Sequence, residues 1–191
     1  MKNIEVEIQV NVERIKPLQT FLDKEAKFIS EEREIDEYYT PSHRNFAEKL
    51  PISEWLRIRN ADGKYSINYK HWRRDNEGKT HHCHEYETGI DSDEQARNIF
   101  NVLDFKPVVR VDKIRKKYHF ENYEITIDNV VGLEEAVEIE FKGETSKTPA
   151  QITEEMIKLL KDIGVGKMKR SYQGYAFLLM HPELAKFEEI S

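Results

Sequence analysis

Residues Val109 to Lys142, VRVDKIRKKYHFENYEITIDNVVGLEEAVEIEFK, decide the fold. Lys113 and Arg115 stand two apart in one extended run, and Asp128, Glu138 and Glu140 punctuate the next two. In a β-strand, residues two apart share a face. The stretch therefore offers a basic pair, a single carboxylate and a carboxylate pair, each on one face of a strand. The other faces are apolar: Ile125 and Ile127, then Val137, Ile139 and Phe141. Such a sheet either turns its charges to water or lines a charged cavity with them.

The same pattern recurs outward from this stretch. Near the N-terminus, Ile4, Val6, Ile8 and Val10 alternate with Glu5, Glu7, Gln9 and Asn11, which predicts a strand over residues 3–12. Residues 54–60 place Arg57 and Arg59 opposite Leu56 and Ile58. Asp62-Gly63 is a hairpin signal, and the return strand, 65–72, carries Ser66, Asn68 and Lys70 on one face. A turn at 76–79 leads to a strand over Thr80–Ile90 with Glu85 and Glu87 on the same side. Residues 31–40, EEREIDEYYT, predict one more strand, whose opening Glu31-Glu32-Arg33-Glu34 reads as a solvated charge run.

Helical spacing appears between these strands. Residues 14–28 carry Leu18, Phe21, Leu22 and Phe28, with Pro17 in the first turn. Residues 43–50 read as a short helical turn or loop. Ser92-Asp93-Glu94-Gln95 is a capping-box pattern opening a helix to Leu103, with Ile99, Phe100 and Leu103 as its stripe. Thr148-Pro149-Ala150-Gln151 opens a helix ending at Gly164, buried through Ile152, Met156, Ile157, Leu159 and Leu160. A last helical region covers Tyr172 to Glu189, broken at His181-Pro182, with Phe177 to Met180 as packing residues. Neither a repeat nor a dividing linker is present, so residues 1–191 read as a single domain.

Bulk properties narrow the class. Charged residues make up 35% and hydrophobic ones 38%, too apolar for a disordered chain. The net charge of −6 gives no general attraction to nucleic acid or anionic lipid. Lys70-His71-Trp72-Arg73-Arg74 is too short, on an acidic chain, to predict nucleic-acid binding. The acidic N-terminal run lacks the apolar core of a signal peptide, and the expectation is a cytoplasmic protein with no membrane partner. Cys83 is the single cysteine, so an internal disulfide is excluded. His81-His82-Cys83-His84 cannot all converge on one tetrahedral ion, because consecutive strand residues alternate in direction; two could, but the sequence has no second Cys/His cluster to complete a site.

Glu-x-Glu occurs repeatedly and Arg-x-Arg or Lys-x-Arg twice on these faces. Like charges side by side on a strand are unfavourable unless something bridges them. Clustered carboxylates suit Mg²⁺ or Mn²⁺, and Arg and Lys suit phosphate oxygens. With the charged faces inward, an antiparallel sheet of about eight strands closes on a space for one small ligand. With them outward, they are ordinary solvated surface.

Taken in order, Glu5-Val6-Glu7, Leu56-Arg57-Ile58-Arg59, Tyr69-Lys70, Glu85-Tyr86-Glu87, Asp112-Lys113-Ile114-Arg115, Ile127-Asp128, Glu138-Ile139-Glu140 and Arg170-Ser171-Tyr172 resemble the CYTH domain. This is the triphosphate tunnel fold shared by class IV adenylate cyclases and thiamine triphosphatases. Spacing through the last three strands is similar to the cyclase branch. The resemblance implies an α+β fold: a closed antiparallel β-barrel with a charged tunnel and helices packed outside. It implies Glu5, Glu7, Asp128, Glu138 and Glu140 as ligands for Mg²⁺ or Mn²⁺. Arg57, Arg59, Lys70, Lys113, Arg115 and Arg170 would hold phosphate, with Lys113, Arg115 and Glu138 closest to the chemistry. Glu85 and Glu87 would stand behind the metal ligands or orient the basic residues. The implied partner is a small-molecule triphosphate, ATP or a compound like thiamine triphosphate, bound by a monomer or homodimer. Cyclisation of ATP, hydrolysis of a triphosphate, and binding without turnover all remain open. Gln9 stands where the family usually carries lysine, which bears on hydrolysis and also removes a cation that a cyclase would use.

Overall fold

The computed structural model describes residues 4–74 and 80–191; for Ile4, Glu5, Arg74, Thr80, His81 and His82 only the backbone is described. The expected turn at 76–79 lies outside them. Among the described residues, eleven strands and four α-helices follow one another as β1 (Ile4–Glu5), β2 (Glu7–Val12), α1 (Ile15–Glu25), β3 (Lys27–Pro41), β4 (Glu54–Ala61), β5 (Lys64–Arg74), β6 (Thr80–Ile90), α2 (Asp93–Val102), β7 (Phe105–Phe120), β8 (Tyr123–Val130), β9 (Ala136–Phe141), α3 (Pro149–Ile163), β10 (Met168–Ser171), α4 (Gly174–Met180) and β11 (Phe187–Ile190). The α+β class is as expected, and no helix among the described residues is long and apolar enough to cross a membrane.

All the strands join one antiparallel sheet in the order β1-β6-β5-β4-β3-β7-β8-β9-β2-β10-β11. The expected ring of about eight strands is not closed by hydrogen bonds: the ladder runs from β1 to β11. Its two flanks are nevertheless tied by one segment. Ile4 and Glu5 pair with His84 and Cys83 of β6, while Glu7 to Val10 pair with Glu140 to Val137 of β9. Between them the carbonyl of Val6 accepts from Phe141 N at 3.0 Å.

The alternation read from sequence sets which face is buried under helices. Val6, Ile8 and Val10 of the N-terminal segment, Ile125 and Ile127 of β8, and Val137 and Ile139 of β9 form one core with Leu18 and Leu22 of α1 and Ile152, Met156 and Leu160 of α3. A smaller core joins Ile58 of β4 and Tyr39 of β3 to Ala96 and Phe100 of α2. The aliphatic faces are thus covered by helices and the charged faces turn the other way. Burying each of these side chains is worth about 1.5–3 kcal/mol, which fixes the register strongly.

Local signals explain the element ends. Ser92 Oγ accepts from Gln95 N at the start of α2, and α3 carries the full reciprocal box between Thr148 and Gln151. Gly164 ends α3 with φ 85°, a left-handed conformation that costs glycine little. Asp62 (φ 47°) and Gly63 (φ 84°) make the expected tight hairpin between β4 and β5.

Three expectations are corrected. Phe28 is in β3, half exposed, because α1 stops at Glu25 and the chain turns to extended at Ala26. In α2 the buried stripe is Ala96 and Phe100, while Ile99 and Leu103 face outward. The last helix ends at Met180 and the chain finishes as β11, pairing with β10, neither of which the sequence periodicity signalled.

Candidate functional site

A cavity of about 250 Å³ lies on the charged side of the sheet. Its lining sorts into two walls. Glu7 and Gln9 of β2, Glu85 and Glu87 of β6, and Glu138 and Glu140 of β9 supply a carboxylate-rich wall. Arg57 and Arg59 of β4, and Lys113, Arg115 and Lys117 of β7, supply a cationic one. Lys70 and Asn68 of β5 lie between them on the β6 side, and Glu124 and Thr126 of β8 on the β9 side. Gln173, Gly174, Tyr175 and Ala176, at the start of α4, close one end beside Tyr38 and Trp55.

Most residues singled out from the sequence therefore meet. The exceptions are instructive. The side chain of Glu5 lies outside the described residues. Asp128 is fully buried and is not part of the lining. It accepts from Arg115 Nε at 2.7 Å and from the Tyr175 hydroxyl at 2.8 Å, and its second contact with Arg115 is through Nη2. Burial pushes its carboxyl up, but Arg115, Lys113 and the Tyr175 hydroxyl together hold it down. Arg170 lies opposite Val10 in the β10–β2 ladder, so it shares the face of that core residue and not the face of Gln9. Its guanidinium stacks 4.4 Å from the Tyr172 ring centroid. The structure gives it no place in the lining.

The sequence reading missed the groups beneath the cationic wall. Glu34 and Asp36 of β3 are each 1% exposed, so the run read as solvated is buried at its end. Strand β3 lies between β4 and β7. Asp36 faces Arg59 directly, and Glu34 faces Lys113. Both Asp36 oxygens accept from Arg59, Oδ1 from Nε at 2.6 Å and Oδ2 from Nη2 at 2.8 Å, and Arg57 Nη1 reaches Oδ2 at 3.4 Å. Glu34 lies 3.0 Å from Arg59, 3.2 Å from Lys113 and 3.8 Å from Arg115. The signal was available: Glu34, Asp36 and Tyr38 repeat the two-residue spacing that identified the other inward faces.

Electrostatics differ between the walls. Burial pushes Glu34 up, but Arg115, Lys113 and Arg59 together bring it down to about 2. Asp36 is likewise pushed up by burial, and Arg57 and Arg59 hold it below the usual carboxylate range. On the other wall burial prevails. It raises Glu138 despite Arg115, helped by the charge of Asp128, and it raises Glu140 despite Lys142. Glu7 adds to the rise in both.

Four carboxylates of that second wall, Glu7, Glu85, Glu138 and Glu140, also touch a cation. Glu138 contacts Arg115 Nη2, Glu140 lies 2.5 Å from Lys142, and Lys70 lies 3.3 Å from Glu7 and 3.7 Å from Glu85. Among the described residues no three His, Cys, Asp or Glu side chains stand together as a ready metal site. The donor set still suits a hard divalent cation: Glu7, Glu138 and Glu140 are all oxygen donors on paired strands, and burial, with the charge of Glu7 added, disfavours ionisation of Glu138 and Glu140.

An antiparallel sheet wound about a cavity with one cationic and one carboxylate wall defines a class of protein built around internal charge. The chain belongs to the CYTH domain family, whose model matches residues 1–172. It is 34% identical over 173 residues to "Putative adenylate cyclase MJ0240" of Methanocaldococcus jannaschii, covering 88% of this chain and 96% of that protein. Among solved structures, the PH1819 protein of Pyrococcus horikoshii OT3 superposes with a TM-score of 0.77 at 29% identity, over 93% of this chain and 99% of that one. "Putative adenylyl cyclase HpAC1" of Hippeastrum, described with a dominant triphosphatase activity, shares the fold with a TM-score of 0.63 at 18% identity, over 94% and 95% of the two chains.

Proposed function

We propose that this chain binds ATP with Mg²⁺ or Mn²⁺ in the cavity and converts it to cyclic AMP and pyrophosphate. The observation that carries the reading is the facing of a buried cationic wall and a carboxylate wall across one small cavity. The name of the Methanocaldococcus relative, at 34% identity, points the same way. In this reading the segment Ile4–Val12 closes the sheet into a tunnel by standing against both β6 and β9.

Arg57, Arg59 and Lys113 would hold the β- and γ-phosphate oxygens, the arginines by their forks and the lysine as a point charge. Arg115, between the two walls, would turn part of its donor set to the α-phosphate. The ribose 3′-hydroxyl oxygen forms a bond to the α-phosphorus and gives up its proton to water, the bond to the bridging oxygen of the β-phosphate breaks, and pyrophosphate leaves with the electron pair. Charge that develops on the leaving group is met by fixed cations already in place, the largest single source of acceleration in such reactions. Glu7, Glu138 and Glu140 would hold the divalent ion, which when bound neutralises phosphate charge and acts as a Lewis acid on phosphoryl oxygens.

A second reading is hydrolysis of thiamine triphosphate, inorganic triphosphate or a nucleoside triphosphate, since the fold also carries HpAC1 with its triphosphatase activity. Gln9 lines the cavity opposite Glu138, at the position where the family usually has lysine. It weighs against water as nucleophile, it also removes a cation that a cyclase would use, and it motivates a third outcome, binding without turnover. The test incubates the purified protein with ATP, thiamine triphosphate or inorganic triphosphate, under Mg²⁺ or Mn²⁺, and separates the products. Cyclic AMP with pyrophosphate supports the cyclase. Orthophosphate moves the assignment to hydrolysis. Tight binding without product leaves a binding module, and no binding ends the proposal.

A further inference from the structure

Cations that hold phosphate are ordinarily long, flexible side chains that repel one another. Here four of them, Arg57, Arg59, Lys113 and Arg115, come from β4 and β7, two strands that do not touch because β3 lies between them. Neighbouring strands are about 4.8 Å apart, so two rows of cations would face each other at roughly twice that distance with nothing to fix them. The intervening strand supplies two carboxylates in register with the rows: Asp36 opposite Arg59, Glu34 opposite Lys113. Neither is a metal-site candidate by position, since both are enclosed beneath the cations and absent from the cavity lining.

The geometry points to Glu34 and Asp36 as positioning residues: they lock the cations of β4 and β7 into one rigid array whose spacing selects a chain of phosphates over a single phosphate. This rests on the reading of the cavity as a triphosphate site. Asp36 engages Arg59 through both oxygens and restrains Arg57 at the same time, so the two arginines share one anchor. Glu34 joins the two rows, reaching Arg59 on one side and Lys113 on the other. Donor capacity remains: among the described residues the Nε of Arg57 is buried without a hydrogen-bond partner.

Two effects oppose each other when such a carboxylate is neutralised. Loss of its charge makes the cavity more positive, which strengthens attraction for any anion. Loss of the fork frees the arginines, which weakens only a ligand that needs several cations at fixed separations. The two ligands that separate these effects are inorganic orthophosphate and inorganic triphosphate.

The experiment titrates both anions, in metal-free buffer, into the wild-type chain and into Asp36→Asn and Glu34→Gln, with folding of each variant checked by its melting transition. Asp36→Asn is expected to weaken triphosphate roughly tenfold while orthophosphate affinity holds or rises. Glu34→Gln, which leaves the Asp36 fork standing and is the variant to rely on if Asp36→Asn does not fold, shows the same divergence at smaller size. Equal fold-changes for the two anions, or no change in either, would overturn the positioning role. Failure of the wild type itself to bind triphosphate would instead remove the functional reading on which it stands.

Discussion

The two walls of the cavity use the same residue types for opposite ends. On the β3–β4–β7 side, carboxylates lie beneath arginines and lysines, and Glu34 is held at about 2 with Asp36 held down beside it. On the β2–β9 side, burial raises Glu138 and Glu140 from their ordinary value. The first pair has more positive charge than it needs, so its negative charge is structural. The second has less, so its carboxyls resist ionisation, and in the proposed reading a divalent cation would supply the missing positive charge. A carboxylate-to-amide change is therefore a different experiment on each wall.

The largest effect is expected at Asp36. Asp36→Ala leaves Arg57 and Arg59 buried without their shared anchor, and the cost of breaking such a pair is about 3–5 kcal/mol. Denaturant unfolding checks this; a loss near zero would mean that the β3 carboxylates are not structural. Next is the grip on the ligand. Arg57→Ala removes a charge-assisted donor and should weaken triphosphate binding roughly tenfold to a hundredfold by calorimetry, with a smaller change in stability.

The walls also predict a sign for acid sensitivity. Glu34 and Asp36 have folded pKa values below the unfolded one, so they stabilise the fold above the ordinary carboxylate pKa of roughly 4. That stabilisation drains away as the pH falls towards about 2. Glu138 and Glu140 act with the opposite sign, since their raised values mean that protonation relieves the fold. The melting midpoint should fall between pH ~5 and ~2 in the wild type, and less steeply in Asp36→Asn. An equal slope in both would break the contrast. The smallest expected effect is on the stability of Glu138→Gln, about 1 kcal/mol or less, because Arg115 keeps Asp128 as its partner. The same variant should lose metal-dependent turnover, so stability and activity part company at this wall.

Much of the lining was legible because strands repeat every two residues. Glu7, Arg57, Arg59, Lys70, Lys113, Arg115, Glu138 and Glu140 all share the face that spacing assigned them, and all line the cavity. Legibility stopped where partners come from far along the chain. Glu34 sits at the end of a mixed-sign run that resembles surface, and only Lys113 and Arg59, brought beside it by the sheet, make it an interior group. Asp128 was visible as inward-facing, but its claim by Arg115 and by Tyr175 from α4 was not, because nothing in the local pattern says where α4 docks. Arg170 fell on the wrong face because its direction follows from the register of β10 against β2, which four residues of strand do not announce.

The most direct measurement is a crystal structure with Mg²⁺ and an ATP analogue that resists turnover. The account predicts the phosphates against Arg57, Arg59 and Lys113, and the metal held by Glu7, Glu138 and Glu140 on the facing wall. Phosphates bound outside the cavity, or a metal held without these carboxylates, would contradict it.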